Sequence, residues 1–539
     1  MADLTIVGSG AAGVHAARIA LQSGHRVTLV DVGYAGSPAP LPQEPLNGLK
    51  RNLPDPVDYL LGPTYSAVIP PDAGKEYYGI PPSKDYVFRA PAEMDYSATG
   101  FFPLFSYARG GLAEAWTGGA YEFSADEITS FPFPISELEP FYAEVVEQIG
   151  ITGAADDLAP HYPSSGRYQE SLPLDEHSAL LMNRYLEKRQ SLKRKFGCVM
   201  GRSRVAVLSR DLDGRKACDR TGRCMWGCPG GSLYTPSLTL DRLAGNPSFT
   251  YLPGRLVTHF RWEEPGRRIT ALHMRNLDTG KAEELPCRHL ILAAGTLSSI
   301  QIFLSSIRRA TGQQVRLPGL MDNRQILMPF VSLGMIGHPF ASESYQYHQL
   351  ALAIPGDRPG ELVHSQITAL KTALFHPVLQ SMPLDYRTSL YVGRALHAAL
   401  GVINLNFSDS RRTGNTVWVE EGKDGGPDRL AMSYAPPAGE KAKVKRTMGQ
   451  VAAILRHLGA IVPPTMSHVR PMGASVHYAG LLPMSRDGGE LTTTPGGFSR
   501  DFPNLGFADG STLPALPAKN LTLTLMALAS RLVARADFS

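Results

Sequence analysis

The first thirty residues read as two short apolar runs around a helical pattern. Leu4 to Val7 is almost wholly apolar, with no polar face of its own. Such a run suits a strand covered on both sides, as in a parallel sheet. Val14 to Leu21 places its apolar residues at helical spacing, and Val27 to Val30 is a second buried run that ends at Asp31. Strand, helix and strand in this order predict a parallel βαβ unit. Strands are also predicted at 249–252, 256–260 and 271–274. The run 289–295 is a buried strand ending in Gly295, followed by a helix over 297–306. Six strand-like runs lie between 326 and 434, at 329–335, 345–353, 362–369, 399–407, 416–419 and 429–433, and predict a mainly antiparallel sheet. Helices are predicted over 135–149, 180–195 and 441–458, the last stopped by Gly459, and over 521–532 after Asn520. The proline-rich stretch 37–91 has little periodicity and reads as an extended excursion or lid. No internal repeat is visible.

Composition narrows the picture. A chain of 539 residues is too long for one simple core, so two domains are expected. Hydrophobic residues make up 43% and charged residues 19%, a soluble globular balance. A net charge of +4 gives no argument for nucleic acid or an anionic membrane. The most apolar stretch, 390–407, is interrupted by Arg394 and His397 and reads as core, so no integral membrane segment is expected. The first strand begins almost at Met1, which leaves no room for a signal peptide, and the expected location is cytoplasmic. Five cysteines in that setting should be thiols or metal ligands rather than a disulfide framework.

The chemistry begins between the first strand and helix, at Gly8-Ser9-Gly10-Ala11-Ala12-Gly13. Gly8 permits the tight turn, Gly10 lets backbone approach a pyrophosphate, and Gly13 lets helix and strand pack closely. The free N–H groups and the dipole of the helix start favour phosphate there. Asp31, eighteen residues after Gly13, is placed to accept hydrogen bonds from a ribose and disfavours a 2′-phosphate. This motif does not decide between FAD and NAD. Arg109-Gly110-Gly111-Leu112, with Trp116 to Gly119, suits either a loop lying flat on a large ligand or an ordinary turn cluster.

Taken in order, the glycine loop with Asp31, the segment Arg109 to Gly119, the run Leu290 to Gly295, Ser475 to Gly480, and Asn504 to Leu525 resemble the glucose–methanol–choline (GMC) oxidoreductase family. The resemblance covers most of the chain. It implies an α/β plus α+β fold, with a discontinuous Rossmann-like FAD-binding domain and a substrate domain on an antiparallel sheet. The expected division is 1–130, 196–305 and 466–539 for the FAD domain, and 131–195 and 306–465 for the substrate or cap domain. The family binds FAD and oxidises alcohols by hydride transfer to the flavin, so the resemblance implies a small-molecule alcohol substrate (a sugar, amino sugar or polyol) and an electron acceptor, whether protein, quinone or oxygen. His477 matches the family's active-site histidine, and an imidazole can take up a proton near neutrality. Asn520 matches the second active-site position, where an amide orients the hydroxyl without competing for the proton; it also stands where a helix N-cap would. Gly8, Gly10, Ala11, Ala12, Gly13, Asp31, Arg109, Gly110, Gly111, Trp116, Gly118, Val257, Ala294, Gly295, Asp509, Gly510, Leu521 and Thr522 are the expected cofactor contacts. There are departures: the family often has Glu at the Asp31 position, and Asn520 is followed by Leu-Thr rather than Pro-Thr. A redox-neutral flavoprotein, an isomerase using FAD transiently or structurally, is the other reading.

Cys218, Cys224 and Cys228, the last followed by Pro229, place three of the five cysteines within eleven residues. This segment resembles the flavin subunits of bacterial glucose and fructose dehydrogenases of the same family, which implies a 3Fe-4S cluster on three thiolates. Three buried thiols in a loop is the other reading, and Cys198 or Cys287 as a fourth ligand has no support in the spacing.

Overall fold

A computed structural model of the chain describes residues 2–36, 42–65, 76, 80–341, 343–345, 347–356, 358–370, 379, 382–422 and 426–538. The two ends of the chain meet in one sheet. Its five strands run in the order Leu505–Phe507, Leu290–Leu292, Leu4–Val7, Val27–Val30 and Phe249–Leu252, and every pair is parallel. Ile6 lies between Ile291 and Leu29, and all three are buried. Burial on both faces is why these strands read as continuous apolar runs. Helix Ala11–Gln22 and the C-terminal helix Thr522–Ala534 pack together against this sheet through Val14, Ala17, Ala529 and Val533. Helix Glu139–Ile149, expected with the cap, also joins this side. Its Tyr142 and Val145 pack with Leu523 and Met526, and the Tyr142 hydroxyl lies 2.6 Å from Thr524 Oγ1.

The second large sheet has Ala460–Ile461, Gln325–Ser332, Leu400–Phe407, Leu362–Ala369, Leu350–Pro355 and Val199–Arg202 in order, with His468–Val469 also on the Gln325–Ser332 strand. Every pairing is antiparallel, as expected. Two corrections follow from the register. Residues 199–202, expected in the nucleotide-binding part, form an edge strand here. Strands Thr416–Glu420 and Arg429–Ser433 leave this sheet and join Leu317–Pro318 and Tyr96–Thr99 in a separate four-stranded one.

The faces of the large sheet differ in chemistry. Ile326, Met328 and Phe330, Leu405 and Ile403, and Val363 and Ile367 point to one side, where helices Glu176–Phe196 and Glu440–His457 cover them. The alternate residues must point the other way. They are Gln325, Asn404, Asn406, His364, Gln366 and Thr368, which share one face through the register.

The proline-rich stretch is less extended than its sequence suggests. Helices Leu46–Asn52 and Pro56–Leu61 form there, the second with Asp55 as N-cap and Pro56 in its first turn, and they pack on Trp226. Residues 37–41, 66–75 and 77–79 of that stretch lie outside the described residues. Among the described residues no helix is long and apolar enough to cross a membrane.

Candidate active site

A cavity of about 1450 Å³, counting the solvent at its mouth, runs along the C-terminal edge of the parallel sheet. Three helices start at its wall: Ala11–Gln22 behind Gly10, Thr296–Thr311 behind Gly295, and Thr522–Ala534 behind Leu521. None of the three has a side-chain cap. Uncapped N-termini leave backbone donors and positive dipole ends free for an anion. A Cβ added at Gly10 would meet no atom within 4 Å, so this glycine faces open space rather than protein. Gly13 does the opposite work: a Cβ there would come within 1.9 Å of the Gly8 carbonyl oxygen. Asp31 lies at the cavity wall with the Ser9 hydroxyl donating to it, and burial pushes its carboxyl up to about 6. A glycine opened toward a cavity, three uncapped helix starts and a carboxylate at the end of the second strand fit a flavin dinucleotide.

Gly8, Gly10, Ala11, Ala12, Asp31, Gly111, Val257, Ala294, Gly295, Asp509, Gly510, Leu521 and Thr522 all line this one cavity. The remaining expected contacts do not. Gly13 supports the turn from behind. The Arg109 guanidinium is paired with Asp241 at 2.5 Å. Gly110, with φ of +90°, donates its N–H to Ser9 Oγ at 2.9 Å. Trp116 donates from Nε1 to the Tyr234 carbonyl at 2.7 Å, and Gly118 is crowded by Leu233.

His477 sits on a loop that the sheet side holds tightly. Asp322, fully buried, accepts from the Gly473 N–H at 2.6 Å and from the Ser475 hydroxyl. Val476, which lines the cavity, has φ of +65°, a strained conformation for a β-branched residue that the surrounding bonds must maintain. The His477 ring then meets Asn323: Nδ1 lies 2.8 Å from Asn323 Oδ1. The orientation of that amide is fixed, because Asn323 Nδ2 donates to the carbonyls of Phe407 at 2.7 Å and Pro517 at 3.0 Å. Asn323 Oδ1 is therefore an acceptor, and His477 Nδ1 carries the proton. Nε2 is left with its lone pair. Burial, with Arg470 adding to it, pushes the His477 pKa down to about 4, so the ring is neutral at ordinary pH.

The chain then brings in Asn520. The backbones of 480–484 and 510–512 run side by side through three N–H···O bonds. Asn520 is not used as a helix cap, since the helix starts at Thr522 behind Leu521. Its Oδ1 is buried without a partner. The preceding Lys519 is fully buried, with Nζ on Glu127 at 2.5 Å and on the Glu122 carbonyl at 2.9 Å, which fixes the backbone entering Asn520. A Cβ at Gly119 would lie 3.2 Å from Asn520 Oδ1 and 2.5 Å from Gln366 Nε2, so Asn520 and the polar face of the large sheet meet at this glycine. Asp322, Asn323 and Lys519 were not singled out from the sequence. The only local signal was the lysine's position beside Asn520.

The cysteine segment packs as one group. Cys218, Cys224 and Cys228 are partly buried against Leu172, Val205, Val207, Leu233 and Tyr345. Among the described residues no group of three His, Cys, Asp or Glu side chains is arranged to hold a metal ion. Burial pushes the Cys218 thiol up to about 11, so as a free side chain it is protonated at ordinary pH. The segment is held by packing and by backbone bonds such as Cys218 N–H to the Leu208 carbonyl at 2.9 Å.

Comparison with known proteins gives a consistent set. No family model matches the chain. It is 22% identical over 422 residues to 6'''-hydroxyparomomycin C oxidase of Streptomyces lividus, covering 74% of this chain and 71% of that protein. Its fold is similar to that of pyridoxine 4-oxidase from Mesorbium loti, with a TM-score of 0.60 at 15% identity over 99% of both chains. It is also similar to an FAD-dependent oxidoreductase from Chaetomium thermophilum, with a TM-score of 0.59 at 13% identity over 99% of this chain and 98% of the other.

Proposed function

We propose that this chain, which has the fold of the GMC FAD-dependent oxidoreductases, oxidises an alcohol to the carbonyl, with a sugar, amino-sugar or polyol hydroxyl as substrate and His477 as the base. The observation that carries this reading is the His477–Asn323 pair, with His477 standing in the chain between Val476 and Tyr478, two residues that line the cavity. FAD, held by the glycine loop, the Gly295 and Leu521 helix starts and Asp31, supplies a hydride acceptor. The protein must do the rest. His477 Nε2, bare and neutral, takes the hydroxyl proton as the carbon gives up hydride. Asn520 orients the hydroxyl through its amide, and Lys519 with Glu127 holds the backbone that presents it. Turnover would then call for a protein, quinone or oxygen acceptor to reoxidise the bound cofactor. The similarity to an oxidase whose name carries a hydroxylated aminoglycoside supports the polyhydroxyl substrate class.

The test is anaerobic mixing of the FAD-loaded protein with paromomycin, methyl α-D-glucopyranoside, D-sorbitol, pyridoxine and benzyl alcohol, followed by flavin absorbance. At least one should bleach the flavin lastingly. His477→Ala should slow that bleaching by about a hundredfold or more, the usual worth of a general base. An unchanged rate in the variant removes His477 from the mechanism. Product formed without lasting reduction would favour the redox-neutral isomerase instead.

A further inference from the structure

The loop that carries His477 is closed on itself by the next residue in the chain. The Tyr478 hydroxyl donates to the Gly473 carbonyl at 2.6 Å, five residues back. The same hydroxyl accepts from the Leu104 N–H at 2.7 Å. Leu104 begins the stretch 104–108, every residue of which lines the cavity, and Tyr478 lines it too. The backbone of Tyr478 makes a third tie. Its carbonyl accepts from Thr296 Oγ1 at 2.8 Å, at the helix start behind Gly295. Its ring is buried against Phe101, at 5.3 Å between centroids.

These bonds meet the ones that come from the sheet side. Asp322 holds the Gly473 N–H and the Ser475 hydroxyl, Ser475 Oγ accepts from the His477 N–H at 3.1 Å, and Asn323 holds the ring. The loop is therefore gripped at Gly473 from two directions, by Asp322 at its N–H and by Tyr478 at its carbonyl. Between Gly473 and Tyr478, Val476 keeps its φ of +65°. Such a conformation lasts only where the surroundings over-determine it. With a phenyl in place of the phenol, the Leu104 N–H would lose this acceptor. The Gly473 carbonyl would be left with a longer bond of 3.3 Å from the Val476 N–H. The loop could then relax at Val476, and the residue that follows it is His477.

Resting on the reading of His477 as base, we infer that Tyr478 is a positioning residue for the oxidation: through its hydroxyl and its carbonyl it fixes the loop that bears the imidazole against the walls of the cofactor cavity. The sheet side decides which nitrogen of His477 is bare. Tyr478 decides where that nitrogen stands relative to the cavity. Proton and hydride can leave the alcohol together only if the base keeps one spacing to the cavity, and a misplacement of about 1 Å costs about a hundredfold in rate. Tyr478 keeps its own proton throughout.

Two measurements on the FAD-loaded protein test this, and the first needs no substrate. In amide hydrogen exchange, Tyr478→Phe should exchange roughly five- to tenfold faster in peptides covering 101–108 and 472–480, the worth of one lost bond. Peptides covering 325–332 should exchange as in the wild type. Unchanged exchange in the two loops, or faster exchange throughout, overturns the inference. The second is a cycle of variants read by anaerobic flavin bleaching, per bound flavin, with whichever of the five alcohols named above reacts fastest. Tyr478→Phe should lower the limiting rate by about tenfold to a hundredfold and leave the half-saturating alcohol concentration nearly as it was. In a His477→Ala background the same change should cost almost nothing more, because the residue it positions is gone. A residue that merely supports the fold would act alike in both backgrounds. Wild-type limiting rates in Tyr478→Phe, or equal slowing with and without the imidazole, therefore overturn the inference. Should that variant fail to take up FAD, Thr296→Val serves in the same cycle. It cuts only the tie to the Tyr478 carbonyl, and it should slow bleaching severalfold with the imidazole present and not without it; any other pattern overturns the inference. If His477→Ala slows bleaching and Tyr478→Phe does not, only this inference falls. If no alcohol bleaches the flavin, the reading of His477 as base falls and this inference with it.

Discussion

The two sides of the site are built from different material. On the nucleotide side the work is done by backbone: three helix starts, a glycine open to the cavity and a carboxylate at a strand end. On the sheet side it is done by side chains: Asn323, His364, Gln366, Asn404 and Asn406, from two strands and the turn before a third, with several polar atoms left unpaired. A backbone site needs residues of special shape at fixed short spacing, so it writes a local motif. A side-chain site needs only that scattered residues face the same way, so it writes nothing local. The first kind of site holds what every relative of the fold must hold. The second is free to vary with the molecule being recognised.

The largest effects should come from the glycines, and they divide by role. Gly13→Ala puts a methyl into the Gly8 carbonyl, an atom fixed by the turn, and neither helix nor strand can give way cheaply. The expected outcome is protein that neither folds well nor takes up FAD. Gly10→Ala adds the same methyl into open space. It should leave the melting temperature of the FAD-free protein almost unchanged while weakening FAD binding by roughly tenfold or more, about 1.4 kcal/mol. Flavin titration and thermal melts of the two variants check this. Equal behaviour of the two would erase the distinction between supporting glycine and cradling glycine.

That distinction also explains what the sequence could show. The strands of the parallel sheet were legible to the residue at Leu4–Val7 and Val27–Val30, because burial on nearly every side leaves an almost unbroken apolar run, and at the edge strand Phe249–Leu252, where aromatic and aliphatic residues carry the pattern although only Phe249 is buried. Strand Leu362–Ala369 was equally visible, but its face was not: Val363, Ile367 and Leu362 mask the fact that His364 and Gln366 share one side with the active site. Strands Thr416–Glu420 and Arg429–Ser433 were legible too, but not their partner, since the pairing with Tyr96–Thr99 spans more than three hundred residues. His477 and Asn520 were singled out through their flanking pattern. Asn323 stands between Asp322 and Arg324 with no motif around it, and only its distance to His477 reveals it. The cysteine spacing showed that three thiols could converge, but spacing limits where thiols can go and not what lines their pocket, which is largely apolar.

A second prediction concerns pH and the seam between the two sides. His348 bridges them, with Nε2 2.7 Å from Thr117 Oγ1 and Nδ1 2.9 Å from Thr368 Oγ1. Burial pushes its pKa from 6.5 down to about 3. Between those values the unfolded chain binds a proton that the folded protein refuses. Its contribution to stability is therefore complete above pH 6.5 and is lost as pH falls toward 3. His348→Gln removes that term. The variant should be the less stable protein at pH 7, and its deficit should shrink on acidification by up to about 1.4 kcal/mol per pH unit below 6.5. Denaturant midpoints at pH 7 and 5 measure it. A deficit that stays constant would mean that His348 is not held neutral.

The smallest expected effect is the most informative about the sheet side, because it separates holding a base from being one. Asn323→Leu leaves the His477 ring in place but removes the acceptor for Nδ1–H, so the ring can turn its proton toward the substrate and cease to be a base for part of the time. Loss of such a supporting bond costs about tenfold, up to a hundredfold, in rate. FAD affinity should not change, since Asn323 does not line the cofactor cavity. Asn323→Asp carries the sharper test. A carboxylate still accepts from Nδ1, so the tautomer survives, but the added charge favours the imidazolium and raises the His477 pKa above its present value of about 4. Activity of the wild type should fall only as pH drops through about 4, where Nε2 becomes protonated and can accept nothing more. In Asn323→Asp that acid limb should move to higher pH while Asn323→Leu does not shift it upward. A common acid limb in all three proteins would mean that the group titrating in the rate is not His477, and the backbone side of the site would then be the only side whose role had been read correctly.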